Sequence, residues 1–417
     1  MTRHRLTVTV TALVLAASVA PAAYATGSSG TTTPNLPLGA ANLPEVRSTT
    51  TLARGITWTH IVRGTTPADP ADFNTTDQGP WVVNRITINP RVARGRLQAT
   101  YGRDLATADP VSRLVASSRG LIGTNASFFT FTASKDYPGD PVGLGVYGGK
   151  LLSEPTTDPA EQDVVFNSRT GAMTFGHTQW SGKAVNKRTG AALTLDGIDH
   201  PPAVPAGCTT GTSCTQPGES DWITPEFGQS TPAGAGAEVV LDRRGCVVRS
   251  ASTRGTSLAK GQVAIQATGS DATALELLAG RRACFTLRQS LTDEQGRPVA
   301  LTPSTYGVNG RYRLVAGGTI VAPPGTGSMF DRNPRTIMGR TADGRISLIT
   351  IDGRMTSSVG TTIDETAAVA KSLGLVDAVN LDGGGSTTLA SPTGALNTPS
   401  GAGGAERLVG DAVVWVP

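Results

Sequence analysis

Histidine is scarce in this chain, and its scarcity excludes several chemistries. Only 4 of 417 residues are His. Beyond the first residues, only His60, His177 and His200 remain, widely separated. No H-E-x-x-H pair occurs, which excludes a His-rich zinc hydrolase. No G-x-S-x-G appears, so the usual serine nucleophile elbow is missing. No G-x-x-x-x-G-K-[ST] appears either, which removes the phosphate loop of nucleotide hydrolases. Charged residues make up only 16% and aromatics 5%, and no Lys/Arg cluster carries interleaved aromatics, so nucleic acid is not an expected partner. No segment beyond the N-terminus approaches the ~20 apolar residues of a membrane span, so none is expected. No EF-hand loop pattern is present, so the Asp-rich turns leave calcium only an open alternative, and no cofactor or metal site is read from the sequence.

What the chain has in quantity is glycine (51) and proline (27), with 38% hydrophobic residues. Small, turn-rich composition with enough apolar residues for a core favours many short strands over helical bundles. The start reads as an export signal over 1–25. Arg3 and Arg5 precede the short apolar run Leu6 to Val19, and Ala23-Tyr24-Ala25 fits the small-x-small cleavage rule. Cleavage near Thr26 lowers the formal charge from +4 to +2 as those two arginines leave. A secreted, extracellular location follows. The four cysteines, Cys208, Cys214, Cys246 and Cys284, then read as two disulfides. Three pairings are possible. Cys208–Cys214 with Cys246–Cys284 is preferred, because the first pair shares one Gly/Thr-rich loop. The spacings x5, x31 and x37 do not suit zinc.

Residues 26–50 read as a flexible leader, and 51–417 as one domain. Within it, 51–110 forms N-terminal strands, 111–417 the core, and 201–236 a disulfide-bearing surface loop insertion. Alternation over Ile56–Val62 and Trp81–Ile88 predicts two paired strands. Hairpins are expected around Gly148-Gly149 and Arg169-Thr170-Gly171, and short helices at Pro110–Ser118 and Ala272–Leu278. Asp343-Gly344 between two apolar runs is a further hairpin signal. Thr362-x-x-Glu365 matches a capping box opening a helix that stops at Gly374.

Two strand ends deliver carboxylates. Ala378-Val379-Asn380-Leu381 runs into Asp382-Gly383-Gly384-Gly385-Ser386, and Ile349-Thr350-Ile351 runs into Asp352-Gly353-Arg354. Consecutive glycines let backbone approach a ligand, and their N–H groups can cradle an anion. Arg335 and Arg354 offer planar forks suited to phosphate. Taken with Arg335-Thr336-x-x-Gly339 and Gly360-x-x-x-x-Glu365, these elements resemble the signature of the phosphodiester glycosidase family. Thr124-Asn125-Ala126-Ser127-Phe128-Phe129 is similar to that family's Asn-Gly-Gly-Phe-Phe element, with Ala126 and Ser127 in place of the glycines. The resemblance is dense over 332–390 and thin over 177–320.

The resemblance implies an α+β fold, a strand-rich mixed domain with twisted sheets and few short helices. It also implies a secreted hydrolase cutting a sugar 1-phosphodiester in a cell-envelope or extracellular glycan. The residues suit that chemistry: carboxylates stabilise positive charge on the sugar ring, and cations neutralise the phosphate. Asp352, Asp382 and Glu365 are the catalytic candidates, with nucleophile, base and acid unassigned. Arg335, Arg354, Asn125, Gly383, Gly384, Gly385 and Ser386 are the substrate-binding candidates. The alternatives are an exo-glycosidase on a phosphate-free polysaccharide and a non-catalytic glycan-binding protein.

Overall fold

The computed structural model describes residues 34–208, 214–280 and 283–417. The expected export signal, 1–25, lies outside them. Strands dominate, and the α-helices among the described residues are Val111–Ser117, Gly269–Leu278 and Ile363–Ser372. The fold is strand-rich α+β.

A twelve-stranded sheet forms the centre. Its middle runs Ile56–Arg63, Trp81–Ile88, Ile346–Ile351, Arg335–Thr341, Leu375–Asn380 and Thr305–Ala316, every neighbouring pair antiparallel. Period-two alternation sends successive side chains to opposite faces. Met338, Leu348 and Val379 therefore join one core, while Ile337, Ile349 and Ala378 join another. The first core lies against a five-stranded sheet containing Ile122–Asn125 and Asp411–Val416. The second is covered by the helix Ile363–Ser372 through Ile363, Ala367 and Ala370. Thr362 and Glu365 complete the expected capping box at its start.

Two expectations are corrected. Order does not wait until residue 51: Leu36 and Leu38 are each 1% exposed, and Glu45–Ala53 pairs along Ile56–Arg63. The Gly/Ser/Pro composition of this stretch concealed two leucines that fill the second core. Nor is 201–236 simply a surface loop. Ser220–Ile223 is a fully buried strand beside Val263–Ala267 in a second five-stranded sheet. With Gln179–Asn186, Ala192–Leu195, Phe285–Thr292 and the helix Gly269–Leu278, this region builds its own core around Leu195, Trp222, Val239, Ile265, Leu275 and Phe285. Short strands broken by Pro and Thr hide such a core from a window-based reading.

The structure pairs Cys208 with Cys214 and Cys246 with Cys284. No helix among the described residues is long and apolar enough to cross a membrane.

Candidate active site

Antiparallel pairing brings the motifs together. The start of Arg335–Thr341 and the ends of Ile346–Ile351 and Leu375–Asn380 meet at one edge, since Arg335 pairs with Ile351 and Ile337 with Asn380. There a cleft of about 160 Å³ is lined by Phe128, Ser328, Met329, Asn333, Arg335, Arg354, Asn380, Asp382, Gly383 and Gly384.

Asp382 supplies the cleft's carboxylate. Burial pushes its pKa up to about 6, against the opposing pull of Ser386, the Gly383 N–H and the cationic Arg407. Its backbone is braced from both sides: its N–H donates to the Ala126 carbonyl (2.9 Å), and its carbonyl accepts from Asn125 Nδ2 (2.6 Å). Asn125 Oδ1 in turn accepts from Thr336 Oγ1 (2.8 Å) and the Thr388 N–H (3.1 Å). Asn125 is thus spent on protein groups at both ends of its amide. It positions Asp382 and does not face a ligand. The neighbouring Ser127 donates its N–H and Oγ to the buried Asp411 carboxylate.

The glycine run serves arginines more than amides. Its N–H groups are largely used inside the protein: Gly383 toward Asp382, Gly384 to the Pro334 carbonyl, and Ser386 to the Gly383 carbonyl. The expected backbone cradle for an anion is therefore mostly filled. A Cβ at Gly385 would fall 2.3 Å from the Arg407 guanidinium, and one at Gly384 would fall 3.3 Å from that of Arg354. Removing the side chains lets two cations close on the loop.

Those cations differ in freedom. Arg335 is 2% exposed and donates to the carbonyls of Thr361, Met329 and Asp331. Burial and the nearby Arg354 lower its pKa to about 10. It holds the 329–331 loop while presenting one edge to the cleft. Arg354 sits at the rim with φ +59°, a left-handed conformation uncommon for a side-chain-bearing residue. Its Nε and Nη2 donate to Asn333 Oδ1, at 3.0 and 2.6 Å. Arg407 stacks on Phe131 (4.5 Å) and donates to Ser386 Oγ at 3.4 Å.

Asn380 has a different status. It is 1% exposed, lines the cleft, and its Oδ1 has no hydrogen-bond partner. A buried acceptor left empty costs free energy unless a ligand or water satisfies it.

Two predicted carboxylates are placed elsewhere. Asp352 is 2% exposed and bonds Asn397 Nδ2 (2.8 Å) and the Thr398 N–H (3.1 Å). Burial raises its pKa to about 6. It ties the 397–398 loop beneath the site and is not among the lining residues. Glu365 closes the helix capping box and pairs with Arg332 through two oxygens; it does not reach the cleft. Sequence reading missed Arg407, Asn380, Asn333 and Phe128 as site residues. Asn333 and Asn380 stand inside the quoted motifs, whereas Arg407 lies in a Gly/Ala-rich loop with no motif of its own.

A larger cavity of about 260 Å³ lies against Asp163, Phe166, Phe175, His177 and Glu294. Among the described residues, no Arg or Lys lines it, in contrast to the cleft with its arginines.

Residues 235–416 match the sequence model of the phosphodiester glycosidase family. No curated protein matches the chain. Among solved structures, a Burkholderia pseudomallei protein designated a candidate exported protein superposes with TM-score 0.78 at 24% identity, covering 92% of this chain and 98% of its own. A Synechocystis protein designated hypothetical gives TM-score 0.66 at 21% identity, covering 90% of this chain and 64% of its own. At these identities the likeness concerns the fold alone. Every cleft residue except Phe128 falls inside the matched span. The family model matches residues 235–416, a span that includes the 332–390 motifs.

Proposed function

We propose that the protein is a secreted hydrolase that releases a sugar from a sugar 1-phosphodiester of an envelope or extracellular glycan. The observation that carries this reading is the meeting, in one small cleft, of the Asp382 carboxylate, the arginines 335 and 354, and the unpartnered Asn380 acceptor. Arg407 adds a further cation beside Asp382. A carboxylate alone suits an oxocarbenium-like transition state. Arginines beside it suit the phosphate that departs, since charge-assisted bonds strengthen as negative charge gathers on the leaving oxygens.

Asp382 acts as the ionised carboxylate facing the anomeric carbon, as nucleophile or as base for water. Arg354 and Arg407 hold the phosphate, and Arg335 fixes the loop behind it. Asn380 Oδ1 accepts from a sugar hydroxyl. A cleft of about 160 Å³ has room for one sugar ring and its phosphate, which favours attack at a chain end or on a single substituent. Two disulfides support an oxidising, extracytoplasmic setting.

The test is sugar release from a sugar-1-phosphate methyl diester and from UDP-N-acetylglucosamine, with wild type beside Asp382→Asn. Turnover lost in a folded Asp382→Asn protein supports the reading. Turnover unaffected by the substitution removes Asp382 from the mechanism. Release only from phosphate-free glycans would make the protein an ordinary exo-glycosidase, and binding without release a glycan-binding protein.

A further inference from the structure

We infer that the inserted region holds a divalent cation site of zinc type, built from His200, Asp221 and Glu219. Each of these residues offers one donor atom, and the three atoms lie within 4.8 Å of one another. Proximity of acids and one histidine does not by itself make a site. The state of Asp221 supplies the independent observation. Asp221 is 0% exposed, and neither of its carboxylate oxygens has a hydrogen-bond partner. Such an unsatisfied buried carboxylate is costly unless a cation completes it.

The histidine is oriented for that purpose. His200 Nδ1 lies 3.2 Å from Glu154 Oε1, and Glu154 is itself fixed by the Ile198 N–H (2.8 Å). A carboxylate on one ring nitrogen sets the tautomer that leaves the other free to ligate. That other nitrogen, Nε2, faces Asp221 Oδ2 at 3.5 Å. This is longer than a good hydrogen bond. It is also the separation, about 3.3–3.5 Å, of two donors sharing a tetrahedral zinc at ~2.0–2.2 Å. Glu219 accepts from the Ala203 N–H with Oε2 (2.6 Å), which leaves its second oxygen for the ion. Asp140, 3% exposed with an unpartnered Oδ1, interacts with His200, Glu154 and Asp221, and burial holds its carboxyl well above the usual carboxylate range.

The local fold is shaped around the ring. Gly197 pairs with Asp221 across parallel strands. A Cβ on Gly197 would fall 1.9 Å from His200 Cε1, so the imidazole can fold back over this position only because it is glycine. The donor set of one imidazole and two carboxylates suits a borderline ion better than calcium, which prefers oxygen alone. Glu154 follows the hairpin strand Lys150–Ser153 of the central sheet, whereas His200, Glu219 and Asp221 belong to the inserted region. The ion would clip one to the other. A protonated His200 bridging Glu154 and Asp221 without metal is the competing arrangement, and it faces only one of the two unpartnered Asp221 oxygens.

The experiment uses the untagged full chain, stripped with a chelator and titrated calorimetrically with Zn²⁺, Mn²⁺ and Ca²⁺, with bound metal counted by elemental analysis. One Zn²⁺ per chain is expected, with a rise in Tm. Binding should vanish in His200→Gln and Asp221→Asn and weaken about 10–100-fold in Glu154→Gln. Glu219→Gln, at a partly exposed position, tests the site if the buried variants fail to fold; it too should lose affinity. No zinc uptake, or uptake unchanged in the folded Glu219→Gln and His200→Gln proteins, would overturn the inference in favour of the ion-pair cluster. Binding that disappears only in Asp382→Asn would overturn it in favour of the cleft.

Discussion

Two regions of this molecule bury acidic side chains, and they balance the charge in opposite ways. At the cleft, Asp382 is surrounded by Arg335, Arg354 and Arg407. Around His200, Asp221 and Glu219 of the inserted region meet Asp140 and Glu154 from outside it. A buried site with spare positive charge invites an anion, and one with spare negative charge invites a cation. The same residue type therefore implies a different ligand according to what stands opposite it.

The comparison breaks most sharply at Asp382. Its replacement by Asn is expected to lower kcat by about 10²–10⁴-fold in a folded protein, read by sugar release. Asp352, the other carboxylate on a strand end, should behave as a structural acid. Its folded pKa of about 6 lies above the value of an unfolded chain. Its ionised form is therefore penalised by folding above pH 6, and the penalty disappears below about pH 4. Relative to wild type, Asp352→Asn should gain stability between pH 4 and pH 8 by up to about 3 kcal/mol, measured in denaturant melts at each pH. A pH-independent difference would contradict this.

Arg407→Ala sharpens the electrostatic half of the comparison. Well above pH 6, loss of a charged hydrogen bond to phosphate should reduce kcat/KM about 10–100-fold on phosphodiesters and leave phosphate-free glycosides nearly unaffected. Activity should fall as pH drops through about 6, where Asp382 takes up its proton. Arg407 favours the ionised form, so its removal should move that limb to higher pH. The smallest effect is expected at Glu365→Gln. It weakens the capping box and the Arg332 pair, for about 1 kcal/mol of stability, while kcat stays within about twofold. A large fall in kcat there would return Glu365 to the catalytic set.

The two regions were unequally legible in the sequence. At 332–390, strand alternation, the Asp-Gly turn and the capping box all agree, and the structure follows each. Local signals reach their limit at side chains that meet through tertiary pairing. Asn125 looks like a ligand in its motif, yet its partners lie 211 to 263 residues away. Arg407 reaches Ser386 from a loop without pattern. In the inserted region, the buried strand Ser220–Ile223 is only four residues long and follows a Pro/Gly/Thr-rich stretch, so periodicity had too few positions to register. The cation proposal rests on the same limit. Glu154 and His200 stand 46 positions apart, and no spacing rule connects them.

The placement of the strand Asp411–Val416 bears on when the cleft can form. Asp411–Val416 lies between Arg96–Tyr101 and Ile122–Asn125, inside its sheet and not at an edge. A chain made from its N-terminus leaves that slot open until residues 411–416 emerge, so Asn125 has no completed sheet from which to brace Asp382 during synthesis. Completion of the sheet behind the cleft is thereby postponed until residues 411–416 are available to pair.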